Sequence, residues 1–459
     1  MRTAGSECEA LDNPGPESTM GFIPKPLMIS VIRRLTGLAL AVFVLNQVRS
    51  DAIPIQVGVA KVDLTPPIGG TTTGYSSAPP TDGVHDPVEA RVLVLKSAET
   101  TVALVAWDLC IFNSPWLHAQ REVLGLDVLL LSNTHTHAGP NLREESFPTP
   151  DSPWRETVER RTYEAIESAL SHLFEATFAA GVGEIPLGYN RLVRQSGGYA
   201  LTHFDNPERI PYGPIDPAVN VLRIDDKTGG TRVVLVNTAC HPVVLGPRNR
   251  KISAGFPGVM RRRVEATLAG DVMAFFFQGG AGDVNPLILA RDPETREDDF
   301  RLVQVLGELL AQEALVVLDE ISDHKGAANR LRASSSVIKV PHRFEEDVVL
   351  KAGVASVLLN DDIGIVTMPG EPFHKFQRDL RELAEMPYTF FFGYTCNDGY
   401  PWPSYLPDVK SAAYGGYGAS DTTRVEVGTG ERLLHRGVAQ LYRMQGRLKE
   451  EPVRHVDSK

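Results

Sequence analysis

The sequence has few cysteines and no excess of basic residues. Its 459 residues include 4 cysteines, and 46 Lys and Arg stand against 57 Asp and Glu, which gives a formal net charge of −11. This balance argues against a nucleic-acid-binding protein, because such a protein needs a basic face. If a leader containing Cys8 is removed, three cysteines remain, and an odd number cannot all pair. One disulfide among Cys110, Cys240 and Cys396 and three buried free thiols are both open alternatives.

Motifs of several common enzyme classes are also missing. The glycines at 279–282 follow an apolar run, but the Gly-Lys-Ser/Thr of a phosphate-binding loop is absent. The chain contains neither a Gly-x-Ser-x-Gly nucleophile elbow nor a His-Glu-x-x-His zinc motif. The sequence is therefore not typical of a P-loop NTPase, an α/β-hydrolase or a metalloprotease with its zinc ligands on one helix.

The apolar run near the N-terminus is short. It covers residues 35–45, whereas about 20 apolar residues are needed to span a bilayer. Arg33 and Arg34 precede it and small residues follow at 50–52, which is the pattern of a signal peptide. We therefore predict that residues 1–52 are a leader region, that translation starts at Met28, and that the protein is exported to a periplasm, the extracellular space or the secretory pathway.

The rest of the chain alternates apolar strands with helical segments. A hydrophobic content of 42% and a charged content of 22% are ordinary for a soluble globular protein. Strand-like runs without polar alternation indicate strands that are buried on both faces. We predict an α/β fold with mixed β-sheets in the core and helices outside, in one continuous domain over residues 53–459, with a weaker boundary signal at 323–329. The predicted strands are 57–62, 90–95, 102–109, 128–131, 178–182 and 219–224, and four further apolar runs begin at Arg232, Val272, Ile363 and Tyr388. The predicted helices are 154–178, 258–269, 300–318 and 372–384.

Polar side chains follow several of the apolar runs. In an α/β fold, ligands bind beyond the carboxyl ends of strands, so these side chains predict one composite site. His135 and His137 come first, and their spacing on an extended backbone would direct both to the same side. The other positions of this kind are His241, Asp283, Asn285, Glu371 and the segment 394–400.

Two histidines and a carboxylate form a catalytic zinc arrangement that leaves a position for water. The long intervals between His135, His241 and Glu371 make spacing alone a weak signal. Each residue also has a structural interpretation: Glu371 as a carboxylate at a helix N-terminus, His241 as part of a strand end, and Tyr400 as a packed aromatic. His374 is less favoured as a ligand, and the arginines at 261–263 are expected on a solvated helix face.

Several segments resemble the neutral, non-lysosomal ceramidases, in the family's order. The most specific is Asn133-Thr-His-Thr-His-Ala-Gly-Pro140, which is similar to the family's Thr-His-Thr-His-Ser-Gly/Ala-Pro. The resemblance covers roughly residues 55–440, the catalytic domain of that family, and the immunoglobulin-like C-terminal domain of full-length ceramidases is not expected in this chain. The other matching segments are 57–66, 74–75, 83–91, Asp108, 189–191, 237–241, 282–286, 368–371 and 399–400.

The resemblance implies a zinc-dependent hydrolase of N-acyl amides with a ceramidase-like fold. By motif, it assigns the Zn²⁺ ligands to His135, His241, Glu371 and Tyr400, with Tyr394 and Tyr405 as alternatives for the tyrosine. It implies that His137 binds the substrate or the developing oxyanion and that Arg191 contacts the substrate. We further predict that Asn285 helps His137 to stabilise the oxyanion and that Asp108 orients an imidazole. Metal-activated water would attack the amide carbonyl of a small-molecule or lipid substrate such as a sphingolipid.

Asn285 departs from the family pattern. Members with ceramidase activity carry Ser at this place, and an amide cannot replace a hydroxyl in proton transfer, although it can donate a hydrogen bond. Three readings therefore stay open: a ceramidase-like amidohydrolase, a metal-dependent hydrolase of a more polar amide or ester, and a secreted binding protein on a decayed catalytic scaffold. The acyl chain length, the oligomeric state and contact with a membrane surface are open as well.

Overall fold

The computed structural model describes residues 54–142, 154–288, 299–321 and 330–448. The predicted leader and the weak boundary at 323–329 lie outside the described residues. Residues from 53 onward group into one compact unit. The described helices are α1 (Pro115–Gln120), α2 (Trp154–Ser171), α3 (Gly255–Thr267), α4 (Asp299–Glu320), α5 (His374–Ala384), α6 (Val409–Tyr414) and α7 (Thr429–Met444).

The strands of the described part of the chain belong to two main sheets and several short pairs. The strands are β1 (Gln56–Asp63), β2 (Gly83–Val84), β3 (Glu89–Lys96), β4 (Thr101–Trp107), β5 (Val128–Asn133), β6 (Phe174–Glu184), β7 (Gly188–Asn190), β8 (Leu192–Arg194), β9 (Ala200–Thr202), β10 (Ala218–Asp226), β11 (Thr231–Thr238), β12 (Lys251–Ile252), β13 (Met273–Gln278), β14 (Val284–Pro286), β15 (Leu331–Pro341), β16 (Val349–Leu359), β17 (Ile363–Thr367), β18 (Glu371–Pro372), β19 (Tyr388–Phe392), β20 (Thr395–Cys396) and β21 (Tyr405–Leu406).

The larger sheet has nine strands in the order β13-β11-β10-β6-β1-β3-β4-β5-β20. Most neighbours are antiparallel, but β4 pairs with β5 and β11 pairs with β13 in parallel. The smaller sheet has the order β15-β16-β17-β19, and its β17 and β19 are parallel. Both sheets are therefore mixed.

The two sheets pack face to face, and helices cover their outer faces. Successive side chains of a strand point to opposite faces, so a buried strand contributes residues both to the core between the sheets and to the core under the helices. Val233 and Leu235 of β11 face the other sheet, whereas Val234 and Val236 pack against α3 and α4. Rings of Phe277 and Phe392 stack between the sheets with centroids 4.3 Å apart. The layers are thus helix, sheet, sheet, helix, with α2, α3 and α4 on the larger sheet and α5 and α7 on the smaller one.

This architecture confirms the predicted fold class, a core of mixed sheets with helices outside. The predicted helix 154–178 is too long, because α2 ends at Ser171 and β6 begins at Phe174. A segment as short as 174–178 (Phe-Glu-Ala-Thr-Phe) fits either a helix or a strand by periodicity, and the pairing of β6 with β10 decides it. Strands β15 and β16 and helix α7 were not predicted. No helix among the described residues combines the length and the apolar character that crossing a membrane requires.

Candidate metal centre

His135 lies just beyond β5, in a backbone conformation that is unusual for a residue with a side chain. Its φ is 65°, in the left-handed region, so strand alternation is not what directs its side chain. Its Nδ1 donates to the carbonyl oxygen of Cys110 at 2.7 Å, and a carbonyl can only accept. In the neutral ring, Nε2 is therefore the atom left with a free electron pair.

His241 is held in the same way beyond β11. Its Nδ1 donates to the carbonyl oxygen of Ala281 at 2.7 Å, and its backbone N–H donates to that of Val284 at 3.0 Å. Hydrogen bonds from the far ring nitrogen to a carbonyl are the usual means of orienting a metal-binding histidine. Both imidazoles thus have a fixed tautomer and a fixed ring plane.

The free nitrogens of these two rings meet beside Glu371. His135 Nε2 and His241 Nε2 are 3.0 Å apart, and Glu371 Oε2 lies 3.4 Å from the first and 3.3 Å from the second. Glu371 is 4% exposed, and its Oε2 receives no hydrogen bond from the described residues. Two electron pairs and a buried carboxylate oxygen repel one another unless positive charge lies between them.

The ionisation of the cluster also favours positive charge at this point. Burial disfavours the charged form of His135, but the Cys110 and Glu371 groups outweigh it and raise the pKa of His135 to about 10. Burial lowers the pKa of His241 to about 4. Burial raises the pKa of Glu371, but the two imidazoles prevail and hold it well below its usual range.

A divalent cation fits this donor set. The ligand atoms of His135, His241 and Glu371 all lie within 4.8 Å of one another, and all three residues are buried. Two imidazole nitrogens and one carboxylate oxygen are a donor set that Zn²⁺ accepts. Cys110, His135 and His137 form a second group of the same kind, but it shares His135, and Cys110 Sγ lies 3.6 Å from the Nδ1 that already donates to a carbonyl.

His137 faces the same cluster without a fixed partner for its second nitrogen. Its Nε2 lies 3.2 Å from His135 Nε2, and its Nδ1 has no hydrogen bond to the described residues. Burial and the neighbouring imidazoles lower its pKa well below the usual range, so the ring is neutral at neutral pH. Gly74 (φ 108°) makes room for it, because a Cβ there would lie 2.3 Å from His137 Nδ1.

Arg191 and Asn285 lie side by side in the wall of the site. The Arg191 guanidinium is 3% exposed, donates to the Gly282 carbonyl oxygen at 2.5 Å, and lies within 6 Å of the ring centroids of Phe204, Tyr405 and Tyr417. Asn285 Oδ1 accepts from Arg191 Nη1 at 3.4 Å, and its Nδ2 donates to the Phe204 carbonyl oxygen at 3.3 Å. The amide of Asn285 is thus engaged with protein groups on both ends.

A cavity of about 470 Å³ opens onto these side chains. His135, His137, Arg191, His241, Asn285 and Glu371 all contribute to its wall. Sequence reasoning missed several other residues of the wall; Phe204 and Tyr417 carried no signal at all. These additional residues include Ser76, Ile111, Phe204, Val243, Ser404, Tyr417 and Thr422. A larger groove of about 710 Å³ runs along α4, but its wall holds no histidine or cysteine, so we do not connect it with this chemistry.

The structure does not bring Tyr400 to the cluster. Its hydroxyl accepts a hydrogen bond from Lys351 Nζ at 2.9 Å, and that ammonium also lies over its ring. Tyr394 takes the place beside His135, with ring centroids 4.4 Å apart. The Tyr394 hydroxyl is buried without a partner among the described residues, and its φ of 55° is again left-handed. Such conformations are costly and are often found at functional sites.

Two further residues, Asp108 and Arg261, have partners that differ from those expected. Asp108 does not contact an imidazole; both of its oxygens accept from Arg261, at 2.8 and 2.6 Å. Arg261 is therefore buried in an ion pair and not solvated, with 2% exposure. His374 is not near the ligand set but donates to Asp283 Oδ2 at 2.7 Å. The cysteines at 110, 240 and 396 are all buried free thiols.

The fold matches solved structures of ceramidases. A neutral ceramidase structure from Pseudomonas aeruginosa aligns with a TM-score of 0.69 and 18% identity, over 87% of this chain and 76% of that one. The chain has the neutral ceramidase fold. A ceramidase structure in complex with C2 gives a TM-score of 0.68 and 17% identity over the same shares of the two chains. No family model and no curated protein matches the sequence.

The neutral ceramidase fold confirms the resemblance found in the sequence motifs at the level of architecture. At this identity the likeness shows the fold alone, so activity has to be argued from the side chains. Several of the segments that carry the motifs meet at the cavity, since His135, Arg191, His241, Asn285 and Glu371 contribute to its wall, whereas Asp108 and Tyr400 do not.

Proposed function

We propose that the protein is a metal-dependent hydrolase of N-acyl amides and that Zn²⁺ is its metal. The observation that carries the proposal is the meeting of two imidazole Nε2 atoms 3.0 Å apart with an unbonded carboxylate oxygen, in the wall of a cavity. When bound, Zn²⁺ lowers the pKa of a coordinated water towards about 7 and polarises a carbonyl. His135, His241 and Glu371 would hold the ion, and Tyr394 is the tyrosine nearest to them.

The remaining side chains supply binding and charge stabilisation. His137 is neutral, and its Nε2 faces the cluster, so an Nε2–H tautomer can donate to an oxygen that gains charge as the amide is attacked. Arg191 offers a buried positive charge in the same wall, where a low dielectric strengthens its attraction to that oxygen. Asn285 would orient Arg191 and would not contact the oxyanion, because its own amide is already bonded at both ends.

The residues that line the cavity also bear on how polar the substrate amide is. Ser76, Asn285, Ser404 and Thr422 alternate with the apolar Ile111, Phe204 and Val243. Specific polar groups in a mostly apolar pocket fix the orientation of a ligand, so both a lipid amide and a more polar amide fit this description. Export of the protein concerns residues outside the described part and stays a prediction.

A substrate panel with and without chelator tests the proposal. Purified protein loaded with one Zn²⁺ per chain is given N-acyl sphingosines, N-acyl amino sugars and fluorogenic esters. We expect chelator-sensitive release of fatty acid or acetate from at least one amide, with recovery on addition of Zn²⁺. Tight binding of the same amides without turnover would favour the binding-protein reading, and turnover that is indifferent to chelator would reject the metal.

A further inference from the structure

One segment, residues 279–285, which we call loop 279–285 although its last two residues belong to β14, contacts both His241 and the segment that carries Glu371. It supplies the carbonyl oxygens of Ala281 and Val284 that hold His241. Its Gly282 N–H donates to the carbonyl oxygen of Pro372, next to Glu371, at 2.9 Å. The relative position of the imidazole and the carboxylate is therefore set across this loop.

Asp283 is the charged residue of the loop, and its carboxylate is fully buried and fully bonded. Its Oδ1 accepts from the His374 backbone N–H at 2.9 Å, and its Oδ2 accepts from His374 Nδ1 at 2.7 Å and Asn190 Nδ2 at 2.8 Å. Asp283 is 1% exposed. A buried carboxylate persists only with such partners, because its desolvation is costly.

The bond to the His374 N–H makes Asp283 the cap of α5. The helix begins at His374, and the preceding residue, Phe373, provides no side-chain cap. A carboxylate at a helix N-terminus accepts from an N–H that has no partner within the helix, and its negative charge interacts favourably with the helix dipole. The cap comes from another segment, so Asp283 determines where α5 begins relative to loop 279–285.

Glu371 lies three residues before the start of α5, on β18. Moving the helix start would move Glu371, while His241 would stay with loop 279–285. Room for adjustment is small, because a Cβ on Gly282 would lie 2.4 Å from the Glu371 carbonyl oxygen. Metal ligands have to keep their distances to within about 0.2 Å.

From these contacts we propose that Asp283 is a positioning residue: together with His374 it sets the separation between the Glu371 carboxylate and the His241 imidazole, and hence metal affinity. The inference rests on the metal centre of the proposed function. It requires no contact between Asp283 and the ion or the substrate. Loss of a partner that orients a metal ligand typically weakens metal binding about 10- to 100-fold.

The chain offers a matched control in Asp216. This buried carboxylate also binds α5, through Arg381 Nη2 at 2.7 Å, but about two turns further along the helix. It lies outside the wall of the cavity. Asp216→Asn therefore removes an ion pair between a buried carboxylate and a partly exposed arginine of the same helix, without changing the start of the helix.

The experiment compares Co²⁺ binding by the full-length protein, Asp283→Asn, His374→Gln and Asp216→Asn. Dissociation constants come from competition with a chelating dye, the visible Co²⁺ absorption reports ligand geometry, and thermal unfolding reports stability. We expect about 10- to 100-fold weaker binding and an altered spectrum for Asp283→Asn, and a smaller change in the same direction for His374→Gln, which keeps the backbone cap. Asp216→Asn should lose thermal stability but bind Co²⁺ within about twofold of the parent, with the same spectrum, because distant sites act independently.

Parental affinity and spectrum in Asp283→Asn, or equal weakening in Asp283→Asn and Asp216→Asn, would overturn the positioning role. If Asp283→Asn does not fold, His374→Gln decides alone, and an unchanged spectrum and dissociation constant reject the proposal. A parent protein that binds no Co²⁺ overturns the metal centre and the positioning role together. A parent that binds Co²⁺ and hydrolyses no amide overturns the proposed activity only.

Discussion

Two buried groups of ionisable side chains lie beyond neighbouring strands, and they are satisfied in different ways. Asp108 follows β4 and pairs with Arg261 through two parallel hydrogen bonds of 2.8 and 2.6 Å. His135 follows the adjacent strand β5, and there Glu371 Oε2 receives no hydrogen bond from the described residues. The first group contains a permanently charged guanidinium, whereas the Glu371 carboxylate of the second is balanced only while an imidazole holds an added proton or a cation is bound.

This difference separates a structural ion pair from a binding site. A bidentate Arg–carboxylate pair is complete without a ligand, and breaking it leaves an uncompensated buried charge. A cluster of electron-pair donors that the protein leaves unmatched is stable only with an added proton or cation. The two groups should therefore respond in opposite ways to substitution, which the following experiments measure.

The largest effect is expected from removal of a candidate ligand. His241→Ala should lose the bound metal and at least about a thousand-fold in amide hydrolysis, since metal chemistry supplies several kcal/mol of transition-state stabilisation. Metal content per chain and hydrolysis rate are measured on the same preparation. A variant with full metal content would show that His241 is not a ligand.

Substitution in the ion pair should instead cost stability. Asp108→Asn leaves the buried Arg261 guanidinium without its hydrogen-bonded counter-charge, so we expect a loss of about 3–5 kcal/mol in the free energy of unfolding. Folded Asp108→Asn should still bind one metal ion. Arg330→Gln is the control, because it breaks an exposed pair with Asp361 that is worth about 0–1 kcal/mol. Similar losses in the two variants would contradict the assignment.

A smaller effect distinguishes the tyrosines. Tyr394→Phe should weaken Co²⁺ binding about tenfold or shift its absorption, because Tyr394 adjoins His135, whereas Tyr400→Phe should do neither. Titration of both variants with Co²⁺ checks this. The reverse result would return Tyr400 to the ligand set that the motif resemblance implied.

The smallest effect is a pH dependence at the Asp283–His374 pair. Burial lowers the pKa of His374, but the Asp283 carboxylate outweighs it and raises that pKa above its usual value. The stabilisation is then complete below about pH 6.5 and is lost as pH rises through the folded pKa. As pH rises from 6, the parent should therefore lose stability relative to His374→Gln. If the free energy of unfolding of the parent and that of His374→Gln change with pH in the same way, the ion pair is excluded.

Much of the architecture could be predicted from the sequence because its strands are apolar on both faces. Runs such as those of β4, β5 and β11 are buried throughout, and that pattern indicates a covered sheet. Strand β15 escaped prediction because its polar and apolar residues mix at a half-exposed edge of the small sheet. A hydrophobic pattern in the sequence reflects burial of the residues, and an edge strand is only partly buried.

The residues of the candidate site likewise include some that could be predicted from the sequence and some that could not. The sequence order of motifs indicated which segments to compare, and the fold brings His135, His241 and Glu371 together. The partners of Asp108 and His374 could not be predicted, because Arg261 and Asp283 are distant in sequence and only the packing of α3 and α5 brings them close. Side chains with no motif, such as Phe204 and Tyr417, reach the cavity through loops that follow no periodic pattern.

Loop 279–285 packs closely against the residues at the start of α5, and this contact limits which substitutions the protein can tolerate. A bulkier residue at 282 would collide with main-chain atoms. This part of the site therefore tolerates little change in sequence. Phe204, by contrast, is 40% exposed, and its ring contacts Tyr417 and the Arg191 guanidinium. Engineering a new substrate range should therefore begin with mutational libraries at Phe204 and leave the glycine loop untouched.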